Sequence, residues 1–173
     1  MLRSRQRLLW WHHRHGMLLK TQGSAEPFNS FIMNITAINQ NNFSKAVRLL
    51  EQNDLPTEDL SGATQLFVLE EGDEVLGTIA LEHEGEDGLL RSLCVSEPNR
   101  KAGTGQQLVD FIEDHARKQG VQHLYLLTTT AAHFFGKRGY QRIDRSQVSP
   151  YIASSSEFST VCPASATVML KKL

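Results

Sequence analysis

At 173 residues, with 40% apolar and 21% charged side chains, the chain has the length of one domain and the composition of a globular one with a sizeable core. Its net charge of −1 conceals +4 over residues 1–32 and −5 over 33–173, so the larger part is mildly acidic and is not expected to bind nucleic acid. Cys94 and Cys162 form no C-x-x-C pair, which argues against a disulfide framework or a structural zinc site. No apolar run approaches the roughly 20 residues of a membrane span, so a membrane is not an expected partner and a reducing cytoplasm is the expected location.

Residues 1–32 carry Arg3, Arg5, Arg7, Arg14 and Lys20 against Glu26 alone. Their longest apolar piece, "LLWW", is too short for a secretory signal, and the His12, His13, His15 cluster is compositional rather than a metal site. We read 1–32 as a basic, dispensable extension and 33–173 as the folded domain. Within that domain "NITAI" (34–38) predicts a strand and "NFSKAVRLLEQN" (42–53) a helix. A loop with Pro56 and Gly62 follows. Strands over 64–71, 75–84 and 89–95, joined by "EGDE" and "EGEDG", predict an antiparallel meander. "QQLVDFIEDHARKQG" (106–120) places Leu108, Phe111, Ile112 and Ala116 on one helical stripe and ends at Gly120. A strand over 121–130, a short helix over 131–139, a strand over 140–144, a further helix within 149–159 and a strand over 165–173 that ends the sheet complete the chain. The order predicts a mixed, mostly antiparallel α/β sheet with helices on both faces.

The stretch "NRKAGTGQQL" (99–108), between the third meander strand and the long helix, is the most informative. Glycines at a helix N-terminus let the backbone approach an anion, and the first N–H groups of the helix have no internal partner. A P-loop is excluded, because Lys101 precedes the glycines. A dinucleotide fingerprint is excluded because its third glycine would fall at Leu108, and because the preceding strand belongs to a meander. What remains is R-x-x-G-x-G, matched by Arg100, Gly103 and Gly105.

With this loop, the helix after it and the block "FFGKRGY", residues 33–173 resemble the GNAT superfamily of acetyl-CoA-dependent N-acetyltransferases. The resemblance implies an acyltransferase that moves acetyl from acetyl-CoA to the primary amine of a small compound, with no metal. It implies that the loop from Arg100 and Lys101 through Ala102, Gly103, Thr104, Gly105 and Gln106 cradles the CoA pyrophosphate. Backbone of Leu93, Cys94 and Val95, on a splayed strand, would receive the pantetheine arm.

In the pattern A-x-x-[LF]-Y-x-x-x-G-[FY], the tyrosine that often protonates the departing thiolate is replaced by Phe135, which leaves His133 as candidate acid. The family's occasional glutamate base falls at Leu89, which leaves Glu82 and Glu84 as candidates, on the strand face opposite His83. "LPTEDL", "LLTTTAAHFFGKRGY" and "CPASA" (162–166) further resemble an arsenic-resistance-associated subgroup, whose acceptor would be an amino compound such as an arsenic-containing amino acid analogue. Thr57, Glu58, Arg91 and Arg145 are candidates for that acceptor pocket. Two alternatives stay open: a non-catalytic CoA-binding regulatory module, and a peptide or protein N-acetyltransferase. A homodimer also stays open.

Overall fold

The computed structural model describes residues 34–60 and 64–173; the extension expected over 1–32 lies outside them. The elements are β1 (Asn34–Ala37), α1 (Phe43–Glu51), β2 (Gln65–Glu71), β3 (Glu74–Glu84), β4 (Asp87–Val95), α2 (Thr104–Lys118), β5 (His123–Thr128), α3 (Ala132–Gly136), β6 (Gln141–Ile143), α4 (Pro150–Ser154) and β7 (Thr167–Lys172). One seven-stranded sheet runs in the order β1-β2-β3-β4-β5-β7-β6. Every pairing is antiparallel except β4 with β5. The last strand in sequence does not end the sheet as expected: β7 inserts between β5 and β6, and the three-residue β6 takes the edge.

Alternation along the strands divides the core between the two faces. Leu81, Leu90, Leu124 and Leu126 point to one face and pack with Leu108, Val109, Ile112 and Ala116 of α2 and Phe135 of α3. Leu89 and Tyr125 point the other way, onto Ile152 of α4. Leu49 and Leu50 of α1 cover Cys94 on β4. Close approach of α2 to β3 depends on Gly77, where a Cβ would stand 2.8 Å from the Leu108 side chain and 2.9 Å from the Cys94 carbonyl. Among the described residues no helix is long and apolar enough to cross a membrane. Among them, too, no group of three His, Cys, Asp or Glu is placed to hold a metal.

Two irregularities position the site. The β3–β4 register shifts between Thr78, opposite Cys94, and Ala80, opposite Arg91, so that β4 carries an extra residue there. Ser92 takes φ +54° in this bulge, and the buried Thr78 hydroxyl donates to its carbonyl at 2.8 Å. Just beforehand, β4 parts from β5. The two pair only at Asp87 with His123, Gly88 with Leu124 and Leu89 with Tyr125.

Candidate active site

The parting of β4 from β5 opens a cleft of about 250 Å³. Leu90, Arg91, Ser92 and Leu93 form one wall, and Leu126 through Ala131 form the other. Phe135 reaches in from α3, while Asp54, Leu55 and Pro56 meet Glu157, Val161, Cys162 and Pro163 across one end. Because strand pairing stops at Leu89, the rest of β4 faces the cleft with no strand partner on that side among the described residues. A buried sheet edge of this kind needs a hydrogen-bonding partner, and an extended ligand can supply one.

The loop before α2 lies beyond the end of the β4 wall. Gly103 caps the helix at φ +86°, and Lys101 is also left-handed at φ +70°. The first helical bond runs from Gln107 N–H to the Gly103 carbonyl at 3.0 Å. Among the described residues, no protein acceptor meets the N–H groups of Ala102, Gly103, Thr104, Gly105 or Gln106, and no side chain caps the helix. These adjacent donors stand at the positive end of a 15-residue helix, a geometry that favours an anion. Arg100 braces the loop, with Nε donating to the Val95 carbonyl at 3.1 Å and Nη2 to the Asn53 side chain. Lys101, exposed, is a second cation on the loop. A diphosphate fits these donors in charge and in hydrogen-bonding sense.

At the other end of the cleft Arg91 is buried in an ion cluster. Its Nη2 meets Asp59 at 2.5 Å and Glu157 at 3.1 Å, and its Nη1 meets Glu82 at 2.7 Å. The Thr64 hydroxyl donates to Glu82 at 2.6 Å, Ser156 to Asp59 at 2.6 Å, and the Cys162 thiol to Glu157 at 3.2 Å. Burial pushes the Asp59 carboxyl up, but hydrogen bonds from Arg91 and Ser156 together with the Arg91 charge bring it below the ordinary carboxylate value. Burial and then the Glu157 carboxylate push the Cys162 thiol up to about 12. Burial works against the Arg91 charge, and its three carboxylates outweigh that effect. Among the described residues, the buried Arg91 Nε has no protein partner.

Residues 62–142 match the acetyltransferase (GNAT) domain family. That match covers just under half of the chain. The amino-acid acetyltransferase of Pseudomonas syringae pv. syringae is 36% identical over 80 residues, which is 45% of this chain and 18% of that protein. The match therefore spans less than a fifth of the curated relative. N-acetylglutamate synthase from Neisseria gonorrhoeae, solved with coenzyme A and N-acetyl-glutamate, superposes with a TM-score of 0.71 at 20% identity. That superposition covers 82% of this chain and 35% of the other. Rv2747 from Mycobacterium tuberculosis, solved in complex with CoA, superposes with a TM-score of 0.69 at 22% identity, over 81% of this chain and 99% of the other. These structural likenesses establish the GNAT fold.

The fold gathers some of the residues expected from sequence and separates others. Leu93 lines the cleft and, like Val95, packs toward α2, whereas Cys94 points to α1, where its thiol meets the Leu49 carbonyl at 3.8 Å. Arg91 lines the cleft; Thr57 and Glu58 sit in the adjoining loop outside its wall. Arg145 is occupied: it donates to the Phe158 carbonyl at 2.9 Å and lies 4.2 Å over the Phe158 ring.

His133 is exposed while Phe135 faces the cleft, because two residues turn a helix through about 200°. Glu82 is tied to Arg91 and Thr64, and Glu84 stands exposed at the hairpin end. Asp59, Ser156 and Glu157 escape a sequence reading. Residues 59 and 157 are 98 positions apart, and only burial of Arg91 between them gives either a role.

Proposed function

We propose that the protein transfers the acetyl group of acetyl-CoA to the primary amine of a small amino compound. The observation that carries this reading is the run of N–H groups from Ala102 to Gln106, unpartnered among the described residues, on the loop that follows the β4 wall of the cleft between β4 and β5. The loop would hold the pyrophosphate, and the free edge of β4 at Leu93, Cys94 and Val95 would align the pantetheine arm. The thioester would then sit among Arg91, Thr128 and Phe135. When bound, acetyl-CoA supplies an activated acyl group, so the protein chiefly has to bring a neutral amine onto it. Such positioning accounts for much of the rate in acyl transfer.

Neither of the two expected bases stands free on the cleft wall: Glu82 is held by Arg91 and Thr64, and Glu84 lies at the exposed hairpin end. The amine proton accordingly leaves through water. Arg91, its buried Nε unpartnered among the described residues, is the residue proposed to meet the acceptor, and Thr57 and Glu58 would frame the approach to it. Because the curated relatives are named amino-acid acetyltransferases, an amino acid or an analogue of one is the acceptor proposed here. An arsenic-containing analogue falls within that class through the resemblance of "LPTEDL" and "CPASA". Direct arsenite capture by thiols does not, since Cys94 and Cys162 face different neighbours, Leu49 and Glu157. The two free cysteines suit a cytoplasmic location.

The test is acetyl-CoA turnover against amino acids, simple amines and peptides, together with calorimetric CoA binding. Tight CoA binding with turnover of an amino acid or its analogue supports the reading. CoA binding with no turnover of any acceptor would favour a regulatory module, the reading that Phe135 in place of an acid supports. Turnover confined to peptides would favour a peptide acetyltransferase.

A further inference from the structure

Aminolysis of a thioester forms a C–N bond and breaks a C–S bond, and the electron pair of the latter goes to sulfur. The sulfur therefore needs a hydrogen-bond donor, and Phe135 has none. The cleft-lining side chains that carry an O–H or S–H proton are Ser92, Thr128, Thr129, Thr130 and Cys162. The Cys162 proton is directed to Glu157 at 3.2 Å. Ser92 belongs to the bulge on the opposite wall, and Thr129 and Thr130 are exposed.

Thr128 differs from these. It ends β5, and the alternation Leu124, Leu126, Thr128 turns it to the sheet face that carries α2 and Phe135. Its Oγ1 accepts the N–H of Thr130 at 3.3 Å and of Ala131 at 2.9 Å. Those two bonds occupy both lone pairs of the hydroxyl, and among the described residues its proton goes to no acceptor. Accepting two bonds polarises the O–H and strengthens the bond it can donate. They also fix the oxygen, so the donor is oriented before any ligand arrives.

We propose that the Thr128 hydroxyl donates a hydrogen bond to the sulfur of CoA and stabilises it as the thiolate leaves. The inference rests on the acetyltransferase reading above, which supplies the thioester. The amine nitrogen attacks the carbonyl carbon, the C–S pair moves onto sulfur, and the amine proton passes to water. The hydroxyl proton stays on Oγ1, because an alcohol is far less acidic than a thiol, and the thiolate later takes its proton from solvent. Thr128 thus does part of the work that a tyrosine at position 135 would do.

The test is the thiol titration of CoA bound to the full chain, followed by thiolate ultraviolet absorbance and needing no acceptor. A bond from Thr128 to the thiolate lowers the bound thiol pKa below that of free CoA by about one to two pH units. Thr128→Val returns it to the free value or above, and Thr128→Ser keeps it low. Thr128→Asp retains acceptors for Thr130 and Ala131 but has no proton to donate at neutral pH, so it raises the value while preserving the local fold. In turnover, Thr128→Val and Thr128→Asp each lower kcat about tenfold to a hundredfold with little change in KM for acetyl-CoA. Adding Phe135→Tyr to Thr128→Val restores part of it.

An unchanged bound-thiol pKa in both Thr128→Val and Thr128→Asp overturns the proposal. If wild-type protein binds CoA with a lowered thiol pKa but turns over no acceptor, the acetyltransferase reading fails while the Thr128 contact stands. If CoA does not bind, both fail.

Discussion

Replacing Arg91 with methionine keeps most of the side-chain stem and removes the one charge that faces three carboxylates. In the wild-type fold the Arg91 side chain is 1% exposed, and those of Asp59, Glu82 and Glu157 are 16%, 13% and 12% exposed. Removing one partner of a buried ion pair costs about 3–5 kcal/mol, because the other charge is stranded. Three carboxylates stranded together put Arg91→Met at the upper end of that range, less what water recovers at their partly exposed oxygens. For a domain of this size the melting temperature should fall by roughly 10 °C at neutral pH.

The pH dependence has a definite sign. With Arg91 present, the Asp59 carboxyl lies below its unfolded value, so its ionised form stabilises the fold above about pH 4. That contribution is lost as the pH falls through the lowered folded value. With Arg91 gone, burial and mutual repulsion raise the carboxyl pKa values, and protonation relieves the variant as the pH falls. The stability gap between wild type and Arg91→Met should therefore narrow from pH 7 towards about pH 4. Urea unfolding of both proteins across that range measures it. A gap under about 1 kcal/mol at pH 7, or one that widens on acidification, would refute a buried charge-balanced cluster.

Gly103→Val should abolish CoA binding by calorimetry while costing the fold only about 1–2 kcal/mol, because a branched residue strains at φ +86° and the loop loses its shape. Retained affinity would show that the loop is not the anion site. His133→Ala should keep turnover within about twofold of wild type across neutral pH, since the ring is exposed and stands off the cleft; a loss of about 10²-fold or more would restore it as the acid. Phe135→Tyr should be tolerated and should raise turnover near neutral pH by adding a donor beside Thr128, as a pH–rate profile would reveal. A chain beginning at Met33 should match the full chain in melting temperature and CoA affinity, and a large loss in either would show that residues 1–32 are structural.

Local sequence was enough for the elements that depend on near neighbours. The hairpin turns, the apolar stripe of α2 and the glycine at its N-terminus are legible because backbone preference and side-chain periodicity act over a few residues. The same holds for the run of open N–H groups before α2, since all of them come from one short segment ending in a helix. Contacts between distant segments were not legible. Insertion of β7 between β5 and β6 depends on which edge the folded sheet leaves open, and no local pattern encodes that. The rotation that turns Phe135 inward and His133 outward was hidden because both side chains suit a short helix, and only its docking on the sheet chooses between them. Arg91 read from sequence as an acceptor residue, but its three carboxylates come from a loop, the neighbouring strand and a turn near the chain end. Burial brings them together, because a buried guanidinium must be paired, and the partners it finds are those the tertiary fold delivers.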